Sequence, residues 1–464
     1  MKLTGFLFAA ALLGSCTQPA AEENYTRHVD PKIGTGGHGH VFVGANVPFG
    51  LVQVGPTSIP QTWDWCSGYH ASDSTVIGFS HTHLSGTGIG DLFDVTVMPV
   101  TGNVTYARGT EDDPTSGLWS YADRTQEIAR PGYYSVPLTR YGIRAELTAT
   151  ARVGLHRYTF PASDAAAVVF DLENGGCWDK ATETHLAKEG DRTVTGWRHS
   201  TGWAKDQRVY FVAEFSKPFE KFETIGDNYA RASFRTTDGE QVSLKVALSP
   251  VSVEGARENL AAELPGWDFE ETAKAADKAW NDELSKVKIE TEDETSKRIF
   301  YTALYHTMVA PSLFCDVNGD YRGADGKVHE NPGRDTYTTF SLWDTYRAAM
   351  PLMTVLHPER MPDIIQTMLH IADEQGRLPV WHLWGNETDC MVGNPGIVAV
   401  ADAIVKGIGG FDREKAFETI RKTAMNPDRG NGLRMEYGYI PCEMFNEAVA
   451  YDMEYALADG AAAR

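Results

Sequence analysis

A chain of 464 residues with 42% apolar and 23% charged content can bury two or three separate cores. Its net charge of −21 repels nucleic acid and anionic lipid surfaces, which excludes DNA or RNA as the main partner and leaves neutral polar ligands open.

Lys2 precedes an apolar run from Phe6 to Leu13 that is too short to span a bilayer as a mature helix. Leu13-Gly14-Ser15-Cys16 is similar to a bacterial lipobox. Residues 1–16 are therefore expected to be a lipoprotein signal peptide with lipidation at Cys16. That gives an exported protein anchored in the bacterial envelope, in the periplasm or at the cell surface, touching the membrane only through its lipid. A plain secretory signal with a chance cysteine is the alternative. The other cysteines (Cys66, Cys177, Cys315, Cys390 and Cys442) are odd in number, far apart and without CxxC pairing, which argues against a disulfide framework or a zinc cluster.

Short β-branched and aromatic segments follow, such as Val209-Tyr210-Phe211-Val212 and the alternation Val242-Ser243-Leu244-Lys245-Val246. With no helical segments between them, residues 25–262 predict an antiparallel β-sandwich rather than a parallel α/β sheet. Phe269 to Lys286, charged and Ala-rich, predicts a connecting helix within 267–288. Thr291 with Glu294 predicts a capping box before Ile299, Phe300, Ala303, Leu304 and Met308, with Pro311 as the end. Pro358 and Gly376 bracket a helix carrying Ile364, Ile365, Met368, Leu369 and Ala372. Ile397 to Val405 gives another, closed by Gly407; Asp412 caps the next, and Asn446 caps a last one. With the segment 341–355 this makes about six helices, read as an incomplete (α/α)6 toroid over 290–464.

The segment Trp63-Asp64-Trp65-Cys66-Ser67-Gly68-Tyr69-His70, with Gly78 to Gly88 behind it, crowds aromatic rings and polar tips between glycines. Such a mixture suits a concave site for a sugar-like ligand. Gly34-Thr35-Gly36-Gly37-His38-Gly39-His40, Pro48-Phe49-Gly50-Leu51-Val52-Gln53, Gly78-Phe79-Ser80-His81-Thr82-His83-Leu84-Ser85-Gly86, Ser341-Leu342-Trp343-Asp344-Thr345-Tyr346-Arg347, Gly438-Tyr439-Ile440-Pro441 and Met453-Glu454-Tyr455-Ala456 resemble, in order, blocks of glycoside hydrolase family 92. The resemblance implies exo-acting α-mannosidases that trim mannose-containing glycans with inversion and require Ca2+. It also implies a β-sandwich docked on an (α/α)6 toroid with the site between them.

The family's general acid and base lie on blocks after the one matched at Glu454, and this sequence ends ten residues later, at Arg464. The expectation is a C-terminally truncated chain. Its catalytic pair and most calcium ligands would be missing, and it would have negligible turnover on its own. Inverting hydrolysis needs two carboxyl groups roughly 6.5–9.5 Å apart, with a water between base and sugar.

Expected substrate contacts are Trp65 by stacking, Cys66 as part of the lining, Asp344 on the terminal sugar, Arg347 orienting that carboxylate, and Trp384 with Glu387 on a loop before the third helix. Each has a bland counterpart: core packing for Trp65, a helix-start ion pair for Asp344 and Arg347, and interdomain packing for Trp384 and Glu387. Glu454 reads as a helix anchor. Two rival functions remain: a non-catalytic glycan-binding lipoprotein fragment, and a metallohydrolase using the His38/His40 and His81/His83 pairs.

Overall fold

The computed structural model describes residues 23–464 except Gln61 and Pro114; the signal segment and Cys16 lie outside the described residues. Two antiparallel sheets face each other. One runs in the order Gly55–Thr57, Gly78–Ser80, Thr96–Thr101, Ser163–Asp171, Tyr229–Thr236, Lys221–Ile225. The other runs Lys180–Glu189, Thr193–Thr201, Gln207–Phe215, Glu240–Ser249, Val153–Phe160, Ile143–Ala149, Tyr133–Leu138, Ile128–Arg130. Their inner faces share a core in which Phe170 packs on Phe211 and Phe160 packs edge-on to Phe234.

The alternation at 242–246 puts Val242, Leu244 and Val246 into that core. Lys245 faces the other way but is also buried, because helices cover the back of the second sheet. Helix α1 (Val253–Glu263) and the start of α2 (Phe269–Leu284) close over Val153, Leu155, Val212 and Ala247. The Lys245 ammonium lies 4.0 Å from the Trp267 ring centroid, and burial lowers its pKa.

A buried charge cluster joins the sheets. Arg198 on Thr193–Thr201 pairs with Asp94 at 2.7 Å and Asp179 at 2.5 Å, and its Nε–H donates to Leu172 O; all three charged side chains are inaccessible to solvent. Asp94 also accepts from Thr82 Oγ1 and Gln207 Nε2. Burial pushes the Asp94 carboxyl up, while Arg198 pulls it back toward ionisation.

Helices dominate after α2: α3 (Glu294–His306), α4 (Leu342–Thr345), α5 (Ala349–Leu356), α6 (Met361–Gln375), α7 (Pro395–Val405), α8 (Arg413–Ala424), α9 (Asn431–Tyr437) and α10 (Ala448–Ala462). α7 packs against α5, α6, α8 and α10. The connecting helix, the Gly376 stop with its left-handed backbone (φ 93°) and the Asp412 cap agree with the sequence.

Three local expectations give way. Asp293, not Thr291, caps α3, its side chain accepting the Thr295 N–H. Pro362 in the first turn of α6, rather than Pro358, marks that start. Glu447 precedes α10 with φ 55° and no side-chain cap, so Asn446 does not serve there.

The two domains are joined through a plug. Phe49, fully buried with φ 58°, donates its N–H to Met308 O (2.8 Å) and accepts from Leu313 N–H (2.9 Å). Its ring meets His357 edge-on at 5.1 Å and lies under the Arg360 guanidinium at 4.9 Å. Beside it, buried Asn46 accepts from Trp280 Nε1–H and Tyr305 O–H. A bulky residue held at positive φ costs roughly 1–3 kcal/mol and persists only because both of its backbone groups and its ring are satisfied.

Removing one member of the buried cluster leaves the others unpaired. Arg198→Met is expected to cost about 3–5 kcal/mol. Urea unfolding of the variant measures it, and a loss within about 1 kcal/mol of wild type contradicts the cluster's assigned role.

Candidate functional site

A cavity of about 150 Å³ opens where the domains meet. Its sandwich wall is Ser85, Gly86 and Thr87; its helical wall comes from the end of α3, the stretch 339–345, α5 and Trp381. Asp344 is the one carboxylate lining it.

Backbone bonds build the sandwich wall. Gly86 takes φ 75° and donates its N–H to His40 O, while Ser85 Oγ accepts the Phe42 N–H. Beneath, His83 Nδ1–H donates to Gln53 O, and the ring packs between Phe42 and Phe93. The short 3-10 turn Trp63–Trp65 braces the far end: Trp63 Nε1–H donates to Gly88 O and Cys66 Sγ–H to Thr87 O.

The cavity is short of hydrogen bonds. His306 Nε2 and Trp381 Nε1, both on cavity-lining residues, are buried without a partner. Burial pushes His306 down to about 4, so its ring is neutral at pH 7 and offers a polar edge without charge. Unpaired buried polar atoms beside the hydroxyls of Ser85 and Ser341 and the apolar Met350 and Met353 suit a ligand with many hydroxyls and an apolar face. Ser341 Oγ–H donates to Asp344 Oδ2 at 2.5 Å, which orients that exposed carboxylate.

Of the six expected contact residues, the structure brings only Asp344 to the cavity. Arg347 pairs with Glu454 at 2.7 Å rather than with Asp344, and Tyr346 O–H donates to the same carboxylate. Burial works against the charged Glu454, yet these bonds hold its carboxyl below the usual range; it anchors α10 to α4. Cys66 is wholly buried, its thiol pushed up to about 12 by burial, and presents no surface to a ligand.

Trp384 is buried against Phe314, its N–H donating to Thr338 Oγ1. Glu387 accepts the N–H groups of Val380, Trp381 and Asp389, so its carboxylate holds a loop instead of a ligand. Trp65 is half-buried over His70 and donates its Nε1–H to Asp73. The exposed indole is Trp63, at 48%, which packs against His38 and His40. The Ser85–Thr87 wall falls within the Gly78–Gly88 segment marked from the sequence, whereas His306 was not singled out. A histidine at the end of an amphipathic helix carries no mark distinguishing it from a core residue.

The histidine pairs do not converge on an ion. His81 Nδ1–H donates to Val95 O, and its Nε2 meets His156 Nε2 at 2.9 Å, with Tyr158 O–H completing the chain. Among the described residues the one His/Cys/Asp/Glu group close enough to share an ion is Glu283, His357 and Glu359. The Lys286 ammonium sits among them, 2.7 Å from Glu283, 2.9 Å from Glu359 and 3.2 Å from His357. Burial opposes the charge on Glu283, but bonds from His357 and Lys286 hold its carboxyl at about 2. A group with an imidazole, already filled by an ammonium, does not fit calcium, which takes six to eight oxygens.

Comparison with known proteins decides the family. Residues 28–249 match the glycosyl hydrolase family 92 N-terminal domain, and residues 255–464 match the glycosyl hydrolase family 92 catalytic domain. The chain belongs to glycosyl hydrolase family 92.

It is 38% identical to the family GH92 α-mannosidase BT3965 from Bacteroides thetaiotaomicron (TM-score 0.91), over 95% of this chain and 62% of that one. BT3965 has also been solved in complex with mannoimidazole. The inverting mannosidase BT2199 from the same organism is 28% identical, with a TM-score of 0.83, over 96% of this chain and 62% of that one. An uncharacterized secreted glycosidase from Arthroderma benhamiae is 26% identical over 95% of this chain and 58% of its own length. The chain thus spans about three fifths of the length of these relatives.

Burial pushes His83 down to about 4, well below the ordinary 6.5 of an unfolded chain. The unfolded state therefore binds a proton first as pH falls. The stability this group contributes is complete above pH 6.5 and is lost between there and about pH 4. His83→Gln, which can still donate to Gln53 O, should reduce the loss of unfolding free energy between pH 7 and pH 5 by about 2 kcal/mol relative to wild type. Equal losses in the two proteins count against a neutral buried imidazole.

Proposed function

We propose that the protein is an exo-α-mannosidase, and that the cavity between its domains takes the terminal mannose of a glycan. The observation that carries this reading is the exposed Asp344 carboxylate, held by Ser341 in the wall of a cavity at a junction shared with family 92 mannosidases. The carboxylate accepts from sugar hydroxyls, and the hydroxyls of Ser85 and Ser341 line the same cavity. Met350 and Met353 supply an apolar floor for the C–H face.

Inverting hydrolysis is the chemistry the family resemblance implies, and it needs an acid and a base on opposite faces of the sugar. With Asp344 as the one carboxylate in the cavity wall, the described residues supply recognition but not that pair. The reading for this chain by itself is thus mannoside binding without appreciable turnover, which is also where a non-catalytic glycan-binding role coincides with it. The helices α3 to α10 follow one another and pack helix on helix, which supports part of an (α/α)6 toroid. Export with a lipid anchor at Cys16 rests on the lipobox and on a secreted relative. Among the described residues no helix is long and apolar enough to cross a membrane.

Calorimetric titration with mannoimidazole tests the site. The chain is expected to bind it, and Asp344→Ala to weaken binding by about tenfold or more, the loss of a charge-assisted hydrogen bond. The unfolding midpoint of the variant should stay near wild type, because Asp344 is exposed. Unchanged affinity in the variant rejects the assignment.

A further inference from the structure

Two indoles outside the cavity remain without a role. Trp178 and Trp203 stack nearly parallel, with ring planes 11° apart and centroids 5.6 Å apart. Trp203 is half-buried against the main core, whereas Trp178 is 38% exposed and points the pair outward. An indole placed only to fill the core would be covered; this one is held out on a braced loop.

The bracing is close and specific. Trp178 N–H donates to Gly90 O at 2.9 Å. The wholly buried carboxylate of Asp91 accepts from Trp203 N–H at 3.1 Å and Ala204 N–H at 2.9 Å. Glycines make this approach possible. A Cβ on Gly90 would stand 2.6 Å from Cys177 Cβ and 3.2 Å from the Trp178 ring, and one on Gly202 would stand 2.5 Å from the Asp91 carboxylate.

The same strand of chain forms the cavity wall. Gly90 follows Thr87 by three residues, so the two are no more than about 11 Å apart along the backbone. On the other side, the end of the hairpin carrying Trp203 is tied to the helical domain: Asp206 N–H donates to Asn386 Oδ1 and Asn386 Nδ2–H to Asp206 O, both at 3.0 Å.

We propose that Trp178 and Trp203 form a distal platform for a neutral sugar ring, one or two residues along the glycan from the mannose held in the cavity. This rests on the mannoside reading above. The ligand class it adds is an α-linked manno-oligosaccharide of at least three residues, whose C–H face lies on the outward face of Trp178.

Calorimetric titration of the chain with mannose, α-mannobiose and α-mannotriose tests it. In wild type the affinity should rise by about tenfold from mannose to the trisaccharide, a typical gain for one aromatic stacking contact. Trp178→Ala should abolish that rise and leave mannose binding unchanged, and Trp178→Phe, which keeps a ring, should restore most of it. A full rise in Trp178→Ala, or no rise in wild type that still binds mannose, overturns the platform and leaves the cavity reading standing. Length- and Trp178-dependent binding of a gluco-oligosaccharide, with no mannoside bound, upholds the platform and overturns the mannoside reading. No binding of any of these sugars overturns both.

Discussion

The salt-bridged group of Arg198 with Asp94 and Asp179 is the constraint from which the rest of this architecture follows. A guanidinium with no solvent exposure is tolerable only if its donors are met, and here two carboxylates and the Leu172 carbonyl meet them. Asp94 then fixes Thr82, three residues before Ser85, while Asp91, three residues upstream of Asp94, fixes the hairpin that carries Trp203. Two buried carboxylates three residues apart thus hold the sandwich wall of the cavity, through Asp94, and the aromatic rim beside it, through Asp91. Such a cluster gives little net stability compared with an apolar replacement of equal shape, but it holds one geometry well.

Docking of the helical domain depends on a different device. Phe49 gives its ring, its N–H and its carbonyl to the other domain, and Asn46 does much the same with its carbonyl and amide oxygens. The block Pro48-Phe49-Gly50 therefore has a plain physical reason to exist. It sets the register between the two walls of a cavity that neither domain encloses alone.

Much of the architecture could be read from residues because it rests on local chemistry. Strand alternation, the Ala-rich connecting helix, the Gly376 stop and the Asp412 cap each follow from backbone needs that a few side chains reveal. α1 was missed because Gly255 interrupts its pattern; that glycine is there because a Cβ would stand 2.1 Å from the Asp316 carboxylate, a contact distant in sequence. Trp63 is the more exposed of the two neighbouring indoles, and Trp65 is half-buried over His70. In a 3-10 turn residues two apart point in different directions, so Trp63 and Trp65 differ in exposure, and nothing local says which is the more exposed. Glu387 shows the harder limit: a carboxylate that gathers backbone N–H groups and one that gathers sugar hydroxyls look alike in sequence. His306 joined the cavity wall only when distant segments closed around it.

On the proposed reading, sugar is recognised at the junction between the domains rather than on a surface of either one. A larger and more open depression of about 680 Å³ exists on the sandwich alone, lined by Arg108, Glu173 and Asn228 among others, and it is the natural competitor. A crystal structure of this chain grown with mannoimidazole decides between them. The ring is expected between Ser85–Thr87 and Asp344, with its hydroxyls on the Asp344 carboxylate. Density for the ligand in the Arg108 depression, with the junction vacant, contradicts it.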